Sequence, residues 1–407
     1  LDSFYKRLQT TREGHKAKVR ADEIYSFDFI RDAITLKYFQ DFDVDHRPVS
    51  GAFYSRMTNH LGFKPNDEGK LMGLQAYGKP NKQIENILSK DDLFVYKDKN
   101  DEHINFLVNV EEYPELYYHK KLGYKQIHYD IAYESQKQFE LQIVNVLRRF
   151  IHNTKNVIIT GGCGLNVVFN YVLRKSLPSD INLYVDPLCG DEGNSIGAAI
   201  TFAKYCGTRN NFDNIYLGPE PVYNIKKGND KIETVIEYLI NKKIVGLYQG
   251  RAEAGPRALG NRSLLLDPRI KNGKDIMNKV KNREWFRPFG ASILEEEAYK
   301  WFDMAGMKSS PYMLYAVKAL KGVAEKIPGV IHVDNTCRIQ TVNEKQNPVL
   351  YKILKLFNKK TGIPILMNTS FNLAGETLVE TPEDAIETFN KSDIDCIYFP
   401  DIQKVYK

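Results

Sequence analysis

The sequence has no CxxC pair. Its five cysteines, Cys163, Cys189, Cys206, Cys337 and Cys396, stand far apart. Structural zinc sites need closely spaced thiolates, so none is expected. An odd number of thiols in a long chain reads as reduced, which suits a cytoplasmic setting. None of the eight histidines falls in HExxH or a comparable ligand spacing, and no GxSxG elbow is present. Zinc-protease and α/β-hydrolase chemistry are therefore not supported. No apolar run approaches the roughly 18 residues that cross a bilayer, and no basic–apolar–small-residue signal opens the chain. No membrane role is expected. Glycine-rich turns are present, but none is a Walker A motif ending in GK[ST] and none is GxGxxG.

What is there is cationic in one place. The net charge is +6, yet Lys242 to Arg287 alone carry 12 Lys+Arg against 4 Asp+Glu, a local +8. The centre of that stretch is QGRAEAGPRALGNRSLLLDPR, from Gln249 to Arg269. Glycine and proline break helices, and arginine is rarely buried unpaired. Arg251, Arg257, Arg262 and Arg269 cannot all pair with Glu253 and Asp267. Some must face solvent or an anion, and a guanidinium binds phosphate or carboxylate through two parallel bonds. Arg283 and Arg287 follow in KNREWFRPFGASI, with Lys279 and Lys281 close by.

The 407 residues, 43% apolar and 27% charged, suit two globular domains. Apolar spacing turns helical between Ser50 and His60. Tyr133 to His152 reads as a helix with Phe139, Ile143, Val146 or Leu147, and Phe150 on one face. Val157 to Thr160 reads as a buried strand entering the turn of Gly161, Gly162 and Gly164, followed by a helix from Leu165 to Arg174. A second strand–turn–helix unit follows, with Asp191 and Glu192 between Gly190 and Gly193. Glycine turns entering helices favour phosphate, and a carboxylate in such a turn suits a metal ion or a ribose hydroxyl. Glu68 and Lys70, around Gly69, read either as an ion pair that orients a polar ligand or as a simple loop.

The Gly, Pro and Asn of LGPEPVYNIKKGND place a domain boundary near Leu217. Beyond it come a helix from Lys231 to Asn241 and strands at Ile244–Tyr248 and Ile363–Met367. TPEDAIETFNKS reads as a helix capped by Thr381, with Asp384 at N3. NTCRIQTV puts Arg338 and Gln340 on one side of a strand, and MNTSFNLAGE offers Asn368, Thr369, Ser370 and Asn372 at a strand end. The first forty residues are charged and weakly patterned and do not resemble an opening strand.

These segments carry a resemblance. GRAEAGPRALGNRSLLLDPR, SPYMLYAV, HVDNTCRIQTV, QNPVLYKIL and GIPILMNTSFNLAGETLVETPEDAI resemble the C-terminal half of the NodU/TobZ-type O-carbamoyltransferases. LGFKPNDEGKLMGLQAYGKP, TGGCGLNVVFN and DPLCGDEGNSIGAAI resemble the upstream domain of that family. The resemblance implies an α/β architecture. An ASKHA-like domain, incomplete at its N-terminus, would span residues 1–216, and a YrdC-like α/β domain residues 217–407. It implies that carbamoyl phosphate and ATP, with Mg2+, give carbamoyladenylate and pyrophosphate, and that the carbamoyl group then passes to an acceptor hydroxyl.

By position, the resemblance implies catalytic roles for Arg257, Arg287 and Arg338, and carbamoyl phosphate or ATP contacts for Arg251, Arg262, Arg283, Asn368, Ser370 and Asn372. It implies nucleotide contacts at Gly161, Gly162, Asn166 and Gly193, and an Fe2+ or other divalent ion on Asp191. The HHxxH segment of the family, which completes that metal site, does not appear; DVDHRPVSGAFYS has only His46. Either it lies before Leu1, or the sequence skips it, or a partner supplies it. The acceptor is open between a small hydroxylated molecule or sugar and a hydroxymethylated base of nucleic acid, and a homodimer is compatible. The alternative is a catalytically incomplete nucleotide-binding or partner-binding remnant of the family.

Overall fold

A computed structural model describes residues 25–30, 33–39, 50–90, 93–96, 106–119, 121, 123–148, 151–208 and 214–407. Phe150 and His46 lie outside the described residues. In chain order come β1 (Tyr25–Ile30), β2 (Ala33–Phe39), α1 (Ser50–His60), α2 (Glu68–Leu74) and α3 (Lys82–Leu88). Next are β3 (Phe94–Tyr96), β4 (Phe106–Val108), α4 (Gln126–Leu147), β5 (Asn156–Ile159), α5 (Val167–Ser176), β6 (Asn182–Val185) and α6 (Glu192–Tyr205). The chain forms two compact bodies, one of residues 1–153, 161–163 and 191–206, the other of 154–160, 164–190 and 207–407. Most of the glycine-turn region joins the C-terminal body. One tie is the Asn170 amide of α5, which donates to the carbonyl of Leu314 at 2.9 Å.

In the first body β1 and β2 pair antiparallel, so the opening segment does contain strands. Helix α4 begins earlier than its apolar spacing suggests. Phe139 and Val144 are buried, but so are Asp130, Glu134, Gln136 and Glu140. Two of these polar residues serve the backbone near the start of α3: Asp130 accepts from the Lys79 N–H and Glu134 from the Asn81 N–H, while Gln136 donates to Glu140. Glu68 and Lys70 do not pair with each other. Glu68 accepts the Ser55 hydroxyl at 2.5 Å, and Lys70 pairs with Asp67 at 2.9 Å.

The second body is built on an eight-stranded mixed sheet. Its strands are β7 (Val245–Tyr248), β8 (Arg262–Leu266), β9 (Gly290–Leu294), β10 (Tyr315–Lys318), β11 (Thr336–Val342), β12 (Ile365–Ser370), β13 (Cys396–Phe399) and β14 (Lys404–Tyr406). They lie in the order β10-β11-β9-β12-β8-β7-β13-β14. β11/β9 and β13/β7 are parallel, and the other neighbours are antiparallel. β7, β8 and β9 are buried at every position, the burial expected of central strands covered on both faces. The covering helices include α7 (Ile232–Ile240), α8 (Gly273–Val280), α9 (Ala298–Trp301), α10 (Pro348–Thr361) and α11 (Pro382–Asn390). Thr381 and Asp384 form the reciprocal cap of α11 that the sequence predicts. β5 and β6 make a separate parallel pair. Val157 is buried, but Ile158 is 67% exposed, so β5 is not the buried strand its apolar run suggests.

Candidate functional site

The arginine-rich segment runs from the end of β7 into β8, and the fold gives each of its arginines a different environment. Arg251 is exposed, ion-paired with Glu220 at 2.8 Å and bonded to the Gly218 carbonyl. Arg269 makes a bidentate pair with Asp267. Arg262 is fully buried. Its guanidinium donates to the carbonyls of Gln249, Gly250, Asn261 and Glu380 and lies 3.7 Å from the centre of the Tyr248 ring. Arg251 is thus neutralised at the surface, and Arg262 donates to its own loop's backbone.

Arg257 is left over. Among the described residues its one hydrogen bond runs from Nη2 to the Leu165 carbonyl at 3.2 Å, and its buried Nε has no partner there. Glu253, the nearby acid, neutralises no arginine. Its Oε1 accepts the backbone N–H groups of Leu259, Asn261 and Arg262 at 2.6, 2.9 and 3.4 Å and closes the loop around itself. The loop needs glycine at two places. Gly255 has φ +92°, and a side chain there would come within 2.9 Å of Leu188; Gly260 has φ +111°, and a side chain would come within 2.7 Å of Leu350.

Four further cations face the same region. Arg338 on β11 has a guanidinium with no hydrogen bond or ion pair to any described residue, and its Nε is buried. Burial, then Arg257, then Arg283, push it well below the ordinary arginine range. Burial alone lowers Arg257. Arg283 donates from Nε to Asn278 Oδ1 at 2.7 Å and stacks 4.0 Å from the centre of the Phe289 ring. Burial and the neighbouring Arg287 bring Arg283 down to about 9. Arg287 pairs with Glu284 at 2.9 Å.

Lys281 is the residue that sequence reasoning passed over. It is 5% exposed. Its ammonium is caged by Ser370 O and Oγ, at 2.6 and 3.1 Å, and by Asn372 O and Oδ1, at 2.9 and 2.8 Å. Burial, Arg283 and Arg287 push it down to about 7. The available signal was two interlocking i, i+2 pairs, Lys281 with Arg283 and Ser370 with Asn372. Only the fold brings them together. A cluster of like charges partly withdrawn from water, with few acids to balance it, can accept a ligand of high negative charge density.

The floor is a polar face of the sheet. Arg338 on β11 is opposite Gly290 on β9, which is opposite Asn368 on β12. One step along, Gln340 is opposite Ser292. Opposed residues share a face, so Arg338, Gln340, Ser292, Asn368 and Ser370 form one polar surface within an otherwise apolar core.

Asn166 caps α5 by accepting the Phe169 N–H at 3.0 Å. Gly161 has φ +84° and, like Gly162, is exposed, while Gly193 lies in the first turn of α6. Asp191 is exposed. Among the described residues no three His, Cys, Asp or Glu side chains gather in a way that could hold a metal ion. No described helix is long and apolar enough to cross a membrane.

Fold and cluster together define a mixed α/β protein with a group of cations gathered at one face of its large sheet. Comparison with known proteins gives the lineage. Residues 28–200 match the carbamoyltransferase N-terminus and residues 236–404 the carbamoyltransferase C-terminus. The chain belongs to the carbamoyltransferase family, a family of enzymes. It is 37% identical over 375 residues to a protein of Methanocaldococcus jannaschii, covering 86% of this chain and 60% of that one. It is 32% identical over 373 residues to nodulation protein NolO of Bradyrhizobium diazoefficiens, covering 85% and 67%. Nodulation protein U of Rhizobium tropici is 36% identical over 238 residues, covering 56% and 40%. The chain thus spans 40% to 67% of the length of these three relatives.

Proposed function

We infer that this chain activates a carbamoyl group for transfer to a hydroxyl. Carbamoyl phosphate, ATP with Mg2+, and water would give carbamoyladenylate, pyrophosphate and phosphate; the acceptor oxygen would then attack the carbamoyl carbon and release AMP. The sheet of the second body would be the YrdC-like activating domain, and the N-terminal part would belong to an ASKHA-like transfer domain. Family membership supports the carbamoyl chemistry.

The single observation that carries activation is Arg338, half-buried beside Arg257 and Arg283, with its Nε enclosed and no carboxylate bonded to it. Such an arrangement is costly when empty and suits two phosphorylated substrates, whose spreading phosphoryl charge these arginines would neutralise in the transition state. Lys281 would hold the Ser370–Asn372 loop against the same anions. The acceptor is a hydroxyl compound, either a small molecule or sugar or a hydroxymethylated base.

The test is exchange of labelled pyrophosphate into ATP in the presence of carbamoyl phosphate. Exchange that depends on carbamoyl phosphate supports the reading, and its loss in Arg257→Ala assigns that residue to the site. A folded protein that binds ATP but gives no exchange would instead be a non-catalytic member of the family.

A further inference from the structure

Asn368 lies on β12 and is completely buried. Its Nδ2 donates to Ser292 Oγ at 2.8 Å, to Gln340 Oε1 at 3.2 Å and to the Ala258 carbonyl at 3.4 Å. A backbone carbonyl can only accept, so the Ala258 contact fixes which end of the amide is nitrogen. The other end, Oδ1, is buried with no partner.

The network has nothing left to give it. The Ser292 hydroxyl donates to Gln340 Oε1 at 2.7 Å, and Gln340 Nε2 donates to the Leu259 carbonyl at 2.9 Å. A buried acceptor without a donor is a disfavoured arrangement in a folded protein. Here it sits among the cations. Ala258 follows Arg257 in the chain, Arg338 and Asn368 flank Gly290, which has no side chain to stand between them, and Ser370, two residues on, is held by Lys281.

Arginine and lysine supply donors only, so they can hold phosphate oxygens but cannot recognise an amino group. The geometry points to Asn368 Oδ1 as the acceptor that reads the carbamoyl NH2, and so as the residue that selects a carbamoyl group over an acyl group of the same shape. This rests on the carbamoyl phosphate reading above. A methyl in place of the amino group would leave Oδ1 unpaired, and sites that bond a substrate N–H reject analogues lacking it for that reason.

The test uses two stable phosphonates of the same shape with the whole chain. Phosphonoacetamide carries the amino group, and 2-oxopropylphosphonate has a methyl in its place. Calorimetry should show phosphonoacetamide binding about tenfold more tightly. In Asn368→Ala the preference should fall to within about twofold, with 2-oxopropylphosphonate binding retained. Equal affinity in the unaltered protein overturns the assignment while leaving the anion site in place, and that comparison stands even if the variant does not fold. A preference that survives in folded Asn368→Ala also overturns it. If neither phosphonate binds at millimolar concentration, the carbamoyl phosphate reading itself fails, and this assignment with it.

Discussion

Replacing Arg338 with methionine should stabilise the ligand-free protein and make it insensitive to anions. The Arg338 guanidinium has no acid beside it, its Nε is buried and unpartnered, and Arg257 and Arg283 add repulsion to the cost of burial. Methionine is unbranched and can follow the same path between its neighbours. Apolar replacement of buried ionic groups stabilises by about 1–4 kcal/mol even where the charges were paired. A gain of about 2 kcal/mol is therefore reasonable for an unpaired one, and corresponds to a rise in melting temperature of roughly 4–8 °C for a domain of this size. Pyrophosphate should reverse the order. At a hundred times its dissociation constant it stabilises the unaltered protein by about 2.7 kcal/mol and should leave the variant unmoved. The assay is thermal unfolding with and without pyrophosphate at matched ionic strength, because salt alone screens the cluster. If Arg338→Met melts below the unaltered protein without anion, and both show the same pyrophosphate shift, the idea of a costly, ligand-directed cluster is wrong.

Lys281 gives a pH signature. Its folded pKa of about 7 lies below the ordinary 10.5, so between those values the unfolded chain binds more protons than the folded one. Stability from this group should rise with pH across that window and be lost as pH falls through 7; Lys281→Met should flatten the rise in urea titrations. An anion favours the charged ammonium, so pyrophosphate binding at pH 8 should take up protons, read as a dependence of calorimetric heat on buffer ionisation enthalpy. Heat that does not depend on the buffer would remove Lys281 from the site. Gly260→Ala should cost about 1–3 kcal/mol in chemical denaturation, since φ is +111° and Leu350 blocks the new carbon; a change below a few tenths would contradict the loop geometry. Arg251→Ala should keep pyrophosphate affinity within about twofold, because its guanidinium already serves Glu220 and Gly218 at an exposed position. A tenfold loss would return it to the site.

Local pattern made much of the second body readable. The α11 cap, the α7 helix and the β7 strand follow from residues that are neighbours in sequence, and the helix of Ser50–His60 from its apolar spacing. Reading failed where burial served another purpose. Helix α4 buries Asp130 and Glu134 because they cap backbone groups more than forty residues away in sequence, which no periodicity reports. Ile158 is apolar yet 67% exposed, in a sheet that among the described residues has two strands, β5 and β6. The resemblance gave six arginines places at one site by position. That Arg251 already has Glu220 as a partner and Arg262 four carbonyls is visible only in the fold.

The sequence alone determined the chemistry available to the protein. A stretch with 12 cations and 4 acids, stiffened by glycine and proline, had to meet an anion somewhere, and its motifs carried the family. Only the tertiary structure decided which cations remain for that anion. Charge is a property of the residue, but neutralisation is a property of its neighbours. Glu253 lies between Arg251 and Arg257 in sequence and pairs with neither, while Lys281 finds its four oxygens about ninety residues away.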